Sequence, residues 1–455
     1  MSYPLFLITW EFKSLSCHKH KEIAYKNKLR PKLSQFIFSC MLRKNDESAV
    51  NEESLMSKEI VIVGAGFAGM WTALSAARLA KLKKADDISV AVIAPVAELR
   101  VRPRFYESKV QTLVSPLMPV FEAMGVKFIT GNVTHIESDK QLVVYVDENQ
   151  NLVTKHYDRL VLAAGSNLRR DMVKGIAEHA FDLDQIDTAA VLEQHLNGLA
   201  SKPSSQARNT VVVCGGGFTG IEIATELPAR LKALLGESEP VRVIIIERNG
   251  QIGTNYSQEL QDVIKQATDD LEIEWILNAQ IEEITAHGLR LCSGEEIQSD
   301  TVIWTAGVKA NDLTNVFAKQ QGPQGRLHVE SSLKVIDQSN IFATGDVAYA
   351  ATDDKGNHAL MSCQHAILMG KFAGHNVAAS LLDCDYLPYK QENYVTCLDL
   401  GSWGAVFTEG WDQKVKSVKE DAKKIKIVIT NELIYPPKAE LDLIMEQADP
   451  LAPWV

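Results

Sequence analysis

Two stretches of this chain share one order of apolar and polar positions. Residues 59–80, EIVIVGAGFAGMWTALSAARLA, open with β-branched residues, pass through glycines at 64, 66 and 69, and continue with alanines and leucines at helical spacing. Strand, tight turn and helix are predicted. Residues 210–231, TVVVCGGGFTGIEIATELPARL, repeat the order with glycines at 215, 217 and 220. A second apolar run follows each copy, ISVAVIAP at 88–95 and VRVIIIER at 241–248, so each reads as a βαβ unit of a parallel sheet.

The glycines at this spacing carry a physical role. Gly64 permits the turn, Gly66 lets a pyrophosphate approach the backbone, and Gly69 lets the helix pack on the strand. The ligand's charge then rests on the helix N-terminus. Gly215, Gly217 and Gly220 repeat this set. Glu247 ends the second copy's second strand, where a carboxylate accepts both ribose hydroxyls of NADH and repels a 2′-phosphate. That favours NADH over NADPH, with Arg248 beside it pulling the other way. The first copy has Ala94 and Pro95 at this place, so its ribose recognition differs, and Glu98, Arg100 or Arg102 are candidates to substitute.

Composition narrows the partners. A chain of 455 residues has room for about three domains. With 46% hydrophobic and 23% charged residues it is an ordinary globular sequence, and a net charge of −11 excludes a nucleic-acid partner, which needs a basic face. The seven cysteines form no CxxC or CxxxxC pair, which fits a reducing compartment, and a cytoplasmic location is expected. No metal site is expected. The apolar LFLITW at 5–10 is broken by Glu11 and Lys13, and no run reaches the roughly 18 to 20 apolar residues of a spanning helix. Residues 1–55 are basic and aperiodic, and read as a disordered extension or as sequence upstream of a start at Met56.

Four further stretches add specificity: TGNVTHI at 130–136, YDRLVLAAGS at 157–166, DTVIWTAGVKAN at 300–311 and SNIFATGDVA at 339–348. With the two glycine loops, residues 58–385 resemble the two-dinucleotide FAD and NAD(P) flavoproteins and, within them, the type II NADH dehydrogenases. The resemblance implies that FAD is held by Gly64, Gly66, Phe67, Ala68 and Gly69, by Val133 at its adenine, by Ala164 and Gly165, and by Gly345 and Asp346 at its ribityl and pyrophosphate region. Arg102, in VRPRFYE, is implied as a flavin or phosphate neighbour. Gly215, Gly217, Phe218, Thr219, Gly220, Glu247, Ala306 and Gly307 are implied for NADH. Glu222 matches a glutamate at the nicotinamide mouth that contacts the ligand or helps move a proton. Its competing reading is a first-turn acid favoured by the helix dipole, worth about 0.3–1 kcal/mol.

SCQHAILMGKFAGHNVAASL at 362–381 resembles the family helix whose N-terminus faces the flavin's pyrimidine edge. Gln364 is then beside the ring, and His365 is at the acceptor pocket or packed behind it. The AQxAxQxG pattern of the quinone site is half kept: Cys363 replaces alanine, Leu368 replaces the second glutamine, and Gln364, Ala366 and Gly370 match. The implied activity is hydride transfer from NADH to FAD and electron transfer onward to quinone. Reduction of a small iron–sulfur carrier and a non-turnover NADH-binding redox sensor are the alternatives. A sulfide:quinone reductase needs two cysteines facing the ring, and beyond Cys363 none is apparent.

The expected fold is α/β, with two Rossmann-like dinucleotide-binding domains and a C-terminal α+β region. The FAD domain is split over 56–195 and 323–385, the NAD(P)H domain is inserted at 205–322, and the last region is 386–455. In that region, YVTCLDLGSWGAVFTEGW alternates like a hairpin. KVKSVKEDAKKIKIVI reads as helical in its first part, with a solvated basic face or, alternatively, a peripheral membrane contact. Trp403 and Trp411 are candidates for a pocket wall or a partner surface.

Overall fold

The computed structural model describes residues 57–452, and the expectations for residues 1–55 lie outside them. The first part of the chain forms strand β1 (Lys58–Val63), helix α1 (Phe67–Leu82), and strands β2 (Ile88–Ala94), β3 (Lys127–Glu137), β4 (Leu142–Asp147), β5 (Leu152–His156) and β6 (Arg159–Leu162). Next come β7 (Thr210–Cys214), α2 (Phe218–Leu235), β8 (Arg242–Ile246), β9 (Ile273–Ile276), β10 (Thr301–Trp304) and β11 (Ile341–Ala343). The chain then builds α3 (Cys363–Leu382), β12 (Val395–Asp399), β13 (Ala405–Glu409), β14 (Lys414–Val418) and α4 (Lys419–Val428).

The strands of the first glycine motif enter a seven-stranded sheet of order β11-β6-β1-β2-β3-β4-β5. Its first five strands are parallel, and β4 and β5 run antiparallel at one edge. The second motif enters a separate parallel sheet of order β9-β8-β7-β10. Its strands are apolar without interruption because both faces are covered. Val211, Val213, Val243, Ile245 and Ile303 point into one core cluster, while Val212, Cys214, Ile244, Ile246, Val302 and Trp304 point into another.

Helix α1 is nearly all small and apolar because α3 also lies against it. The α3 backbone comes so close that a Cβ at Gly370 would sit 2.5 Å from the Ala68 carbonyl oxygen, and one at Gly374 would sit 2.3 Å from that of Thr72. This contact fixes the start of α3 beside the first glycine loop.

Strands β12, β13 and β14 form a three-stranded antiparallel sheet. The expected hairpin is its first two strands. Residues 414–418, expected to begin a helix, instead form β14, because KVKSV alternates and its Val415 packs into a core with Leu398 and Val406. The helix begins only at Lys419. Gly401, at φ +60°, lets the β12–β13 connection touch α2, where a Cβ would lie 2.0 Å from the Thr225 carbonyl oxygen. The C-terminal region is thereby seated over α2. Among the described residues, no helix is long and apolar enough to cross a membrane.

Candidate functional site

A cavity of about 700 Å³ opens at the C-terminal ends of β1 and β6, where open α/β sheets place their ligands. Gly64, Gly66, Phe67, Ala68, Arg102, Val133, Ala164, Gly165, Gly345, Asp346 and Gln364 all line it, as do Phe218, Thr219 and Glu222 from α2. Gly69 sits behind the wall as a packing residue. A Cβ there would lie 1.9 Å from the Gly64 carbonyl oxygen.

The Asp346 carboxylate is held from two sides. The Ser166 hydroxyl donates to its Oδ2 at 2.6 Å, and Arg102 Nη1 lies 3.7 Å from the same oxygen. Arg102 also donates to Ser166 Oγ at 2.9 Å and pairs with Asp184. Arg102 is therefore a positioning group for Asp346 as much as a cavity surface. Ser166 and Asp184 were not singled out from the sequence, although Ser166 directly follows the AAG turn.

Helix α3 begins at the cavity with Ser362, Cys363 and Gln364. Ser362 is its N-cap, accepting the His365 N–H. Gln364 Oε1 is buried and has no hydrogen-bond partner among the described residues. His365 is fully buried and does not line the cavity. Its ring centroid lies 5.5 Å from that of Tyr394 and 5.8 Å from that of Trp411, and those two rings stack at 4.4 Å. Burial, assisted by the Arg326 charge, lowers the His365 pKa to about 3, so it stays neutral. Of the two places expected for His365, the structure gives the packed one. Leu368 is half-buried against the core beneath the first sheet and also lies outside the cavity wall. Trp411 backs Tyr394, which does line the cavity, whereas Trp403 donates to Asp270 at 2.8 Å on the outer surface.

Glu222 is buried, and Lys426 of α4 reaches its Oε1 at 2.6 Å. The Asp399 N–H donates to the same oxygen at 3.2 Å, and Lys426 also donates to the Cys397 carbonyl at 3.0 Å. Burial raises the Glu222 pKa against the opposing pull of Lys426. Burial pulls the Lys426 value down, and Glu222 more than offsets it, so the ammonium remains charged. Lys426 is one of six lysines between 414 and 426, a stretch read from sequence as a solvated face. No local signal separates it from its neighbours. It turns inward because β12 and α4 close over α2. A second, smaller cavity of about 240 Å³ lies on its far side, bounded by Tyr106, Glu107, Glu226, Asp399, Lys423 and Thr430.

Cys363 and Cys397 both line the main cavity, the second brought there by β12. Burial raises the first to about 11 and the second to about 12, so both remain thiols and neither is an activated nucleophile.

Gly215, Gly217, Gly220, Glu247, Ala306 and Gly307 surround the second loop, outside this cavity. Glu247 Oε2 accepts the Gly216 N–H at 2.9 Å, and Oε1 accepts from Asn249 N at 3.0 Å and Nδ2 at 2.7 Å. The carboxylate is thus oriented over the turn before any ligand arrives.

Two nucleotide-type loops, one opening into a cavity of about 700 Å³ and one beside an oriented acid, define a two-dinucleotide oxidoreductase fold. The model of the pyridine nucleotide-disulphide oxidoreductase family matches residues 58–370, and the chain belongs to that family. An NADH dehydrogenase-like protein of Mycobacterium tuberculosis is 41% identical over 384 residues, covering 83% of this chain and 94% of that one. A demethylphylloquinone reductase of Synechocystis is 28% identical, covering 77% and 86%. The solved structure of NDH2 from Plasmodium falciparum in complex with NADH matches with a TM-score of 0.68 at 15% identity, covering 86% and 97%.

The family implies FAD and NAD(P)H as cofactors. The residues present fit a flavin nucleotide. Added Cβ atoms at Gly66 and Gly165 would meet open space, the Asp346 carboxylate is pre-positioned, and Gln364 offers an unpartnered buried oxygen at a helix N-terminus.

Proposed function

We propose that this chain is an FAD-dependent NADH dehydrogenase that passes electrons to a quinone-type acceptor. The observation that carries the reading is the buried Glu222–Lys426 pair, which lies in the wall of the cavity that also contains Asp346 and Gln364. Bound FAD would supply a two-electron carrier that accepts hydride from a stacked nicotinamide.

The chain's own residues position, orient and handle protons. The β1–α1 loop and Asp346 hold the flavin nucleotide. The α3 N-terminus, which meets the cavity at Ser362, Cys363 and Gln364, would stabilise negative charge on a bound flavin. The second loop holds the dinucleotide, and Glu247 supports NADH over NADPH by accepting ribose hydroxyls. Phe218, Thr219 and Glu222 bring the start of α2 to the cavity, so the nicotinamide end has a place to enter. Reduction of a quinone to a quinol takes up protons. Glu222, with its raised pKa and its partner Lys426, is the group in the wall suited to pass one. The cavity thiols stay protonated, which disfavours a sulfide chemistry.

The region built by 56–195 and 323–385 is assigned to FAD, residues 205–322 to NADH, and 386–455 to the acceptor side. Ile427, Val428 and Leu433 are exposed at and just after the end of α4 and support a peripheral contact with a membrane surface.

Steady-state oxidation of NADH and NADPH by the purified flavoprotein tests the reading, with a soluble quinone, ferricyanide and oxygen as acceptors. Quinone-dependent turnover well above the oxygen background is expected, faster with NADH. Quinone turnover no higher than oxygen would reject the assignment. Reduction of only a one-electron carrier would transfer it to the iron–sulfur class.

A further inference from the structure

The backbone hydrogen bonds align the two glycine loops residue by residue. Gly64 N–H donates to the Ile93 carbonyl at 2.9 Å, and Gly215 N–H donates to the Ile246 carbonyl at 3.0 Å. Ile93 therefore corresponds to Ile246, and Ala94 to Glu247. In the second copy the Glu247 carboxylate orients itself on Gly216. Ala94 has no side chain to do the same at Ala65, and the next residue is Pro95. The carboxylate that ends the second strand in the second copy has no counterpart at that position in the first.

Glu98, Arg100 and Arg102 come next along the cavity wall. Leu99 is fully buried, so strand alternation turns Glu98 and Arg100 together onto the opposite face of the short strand Glu98–Arg100, toward the cavity. Arg102 is committed to Ser166, Asp184 and Asp346. Arg100 differs. Its Nε is buried without a partner, and among the described residues no hydrogen bond or ion pair engages its guanidinium. A partly buried cation lacking a counter-ion is unfavourable until an anion joins it. The family's FAD carries two phosphates, and Arg100 lies between Ala94–Pro95, at the loop end of the wall, and Arg102, beside Asp346.

We propose that Arg100 recognises the adenosine-monophosphate end of FAD, supplying an anion contact where the second site has the Glu247 carboxylate. This rests on FAD as the resident cofactor and not on the acceptor, so a failed quinone assay leaves it standing.

The test is flavin binding to the apoprotein, followed by the quenching of flavin fluorescence. Arg100→Gln is expected to weaken FAD about tenfold to hundredfold, the range of a lost charge-assisted hydrogen bond. FMN, which lacks the adenosine and its phosphate, should bind the variant and the unaltered protein alike. Arg100→Lys keeps the charge and should lose less than Arg100→Gln. Circular dichroism and thermal melting of each apoprotein establish that the fold is kept, and Arg100→Met gives the same reading should the glutamine variant not fold. Unchanged FAD affinity, an equal loss for FAD and FMN, or an equal loss in the Lys and Gln variants overturns the proposal.

Discussion

At the second glycine loop the Glu247 carboxylate folds back onto Gly216, and the Trp275 ring closes the space above it. An added Cβ at Gly216 would lie 2.9 Å from that ring. At the first loop Ala94 leaves this position bare, and the loop opens into a cavity of about 700 Å³ walled by α2, α3, β12 and α4. The same backbone device thus serves two different surroundings. One loop stands beside an acid already oriented over the turn, the place where the proposed reading puts a ribose. The other opens into a cavity lined by distant parts of the chain. What separates them is the charge and lining added around the loop, since the hydrogen bonds of the turn are shared.

The largest effect that separates the two sites is expected from Gly69→Ala and Gly220→Ala. In each, the added Cβ would lie 1.9 Å from a loop carbonyl oxygen, that of Gly64 or Gly215. Gly69→Ala should yield protein that purifies without flavin. Gly220→Ala should stay yellow but no longer be bleached by NADH under anaerobic conditions. If both lose flavin equally, the two loops are not independent.

Lys426→Met probes the seam between the sites. It leaves Glu222 buried beside no cation, which costs on the order of 3–5 kcal/mol. Denaturant unfolding should show a loss of that order, and Glu222→Gln added to it should recover much of the loss. Quinone turnover should fall in both variants, while anaerobic flavin reduction by NADH changes less.

His365, in α3, provides a pH dependence tied to the first site. Its folded pKa, lowered to about 3, lies below the ordinary histidine value. Between those two values the unfolded chain binds a proton that the folded chain does not, so stability falls as pH drops from about 6.5 toward 3, by up to a few kcal/mol. Comparing unfolding at pH 7 and pH 5 in the unaltered protein and in His365→Phe should show a smaller pH effect in the variant.

The mildest change is Glu247→Gln, expected to reduce the NADH over NADPH preference in kcat/KM by about tenfold, near 1.4 kcal/mol. An unaltered ratio would remove Glu247 from ribose recognition and make the two loops alike in that respect.

Much of the scaffold could be read from local pattern. The β-branched runs became β1, β2, β7 and β8, the segments after the glycines became α1 and α2, and 130–136 lies in the long strand β3 that pairs antiparallel with β4. The cavity residues at the first loop, Asp346 and Gln364 belong to short motifs, so their place in the wall was legible too. Three features were not. The strand at 414–418 shares its lysine-rich composition with α4, and only packing of Val415 decides between them. Lys426 is indistinguishable from its neighbours until α4 is laid over α2. Cys397 gives no sign of a cavity partner more than thirty residues away at Cys363.

The sequence by itself determined where the chain turns tightly and which segments are buried on both faces, because glycine spacing and apolar period act over a few residues. It also determined that one loop carries an acid and the other does not. Only the tertiary structure decided which charges meet. Lys426 reaches Glu222 because Gly401 lets the C-terminal sheet sit against the α2 backbone. Arg102 is engaged, and Arg100 has no partner among the described residues, because Asp184 and Ser166 arrive at one of them and not the other. Such pairings depend on contacts between residues far apart in the chain, and local composition holds no trace of them.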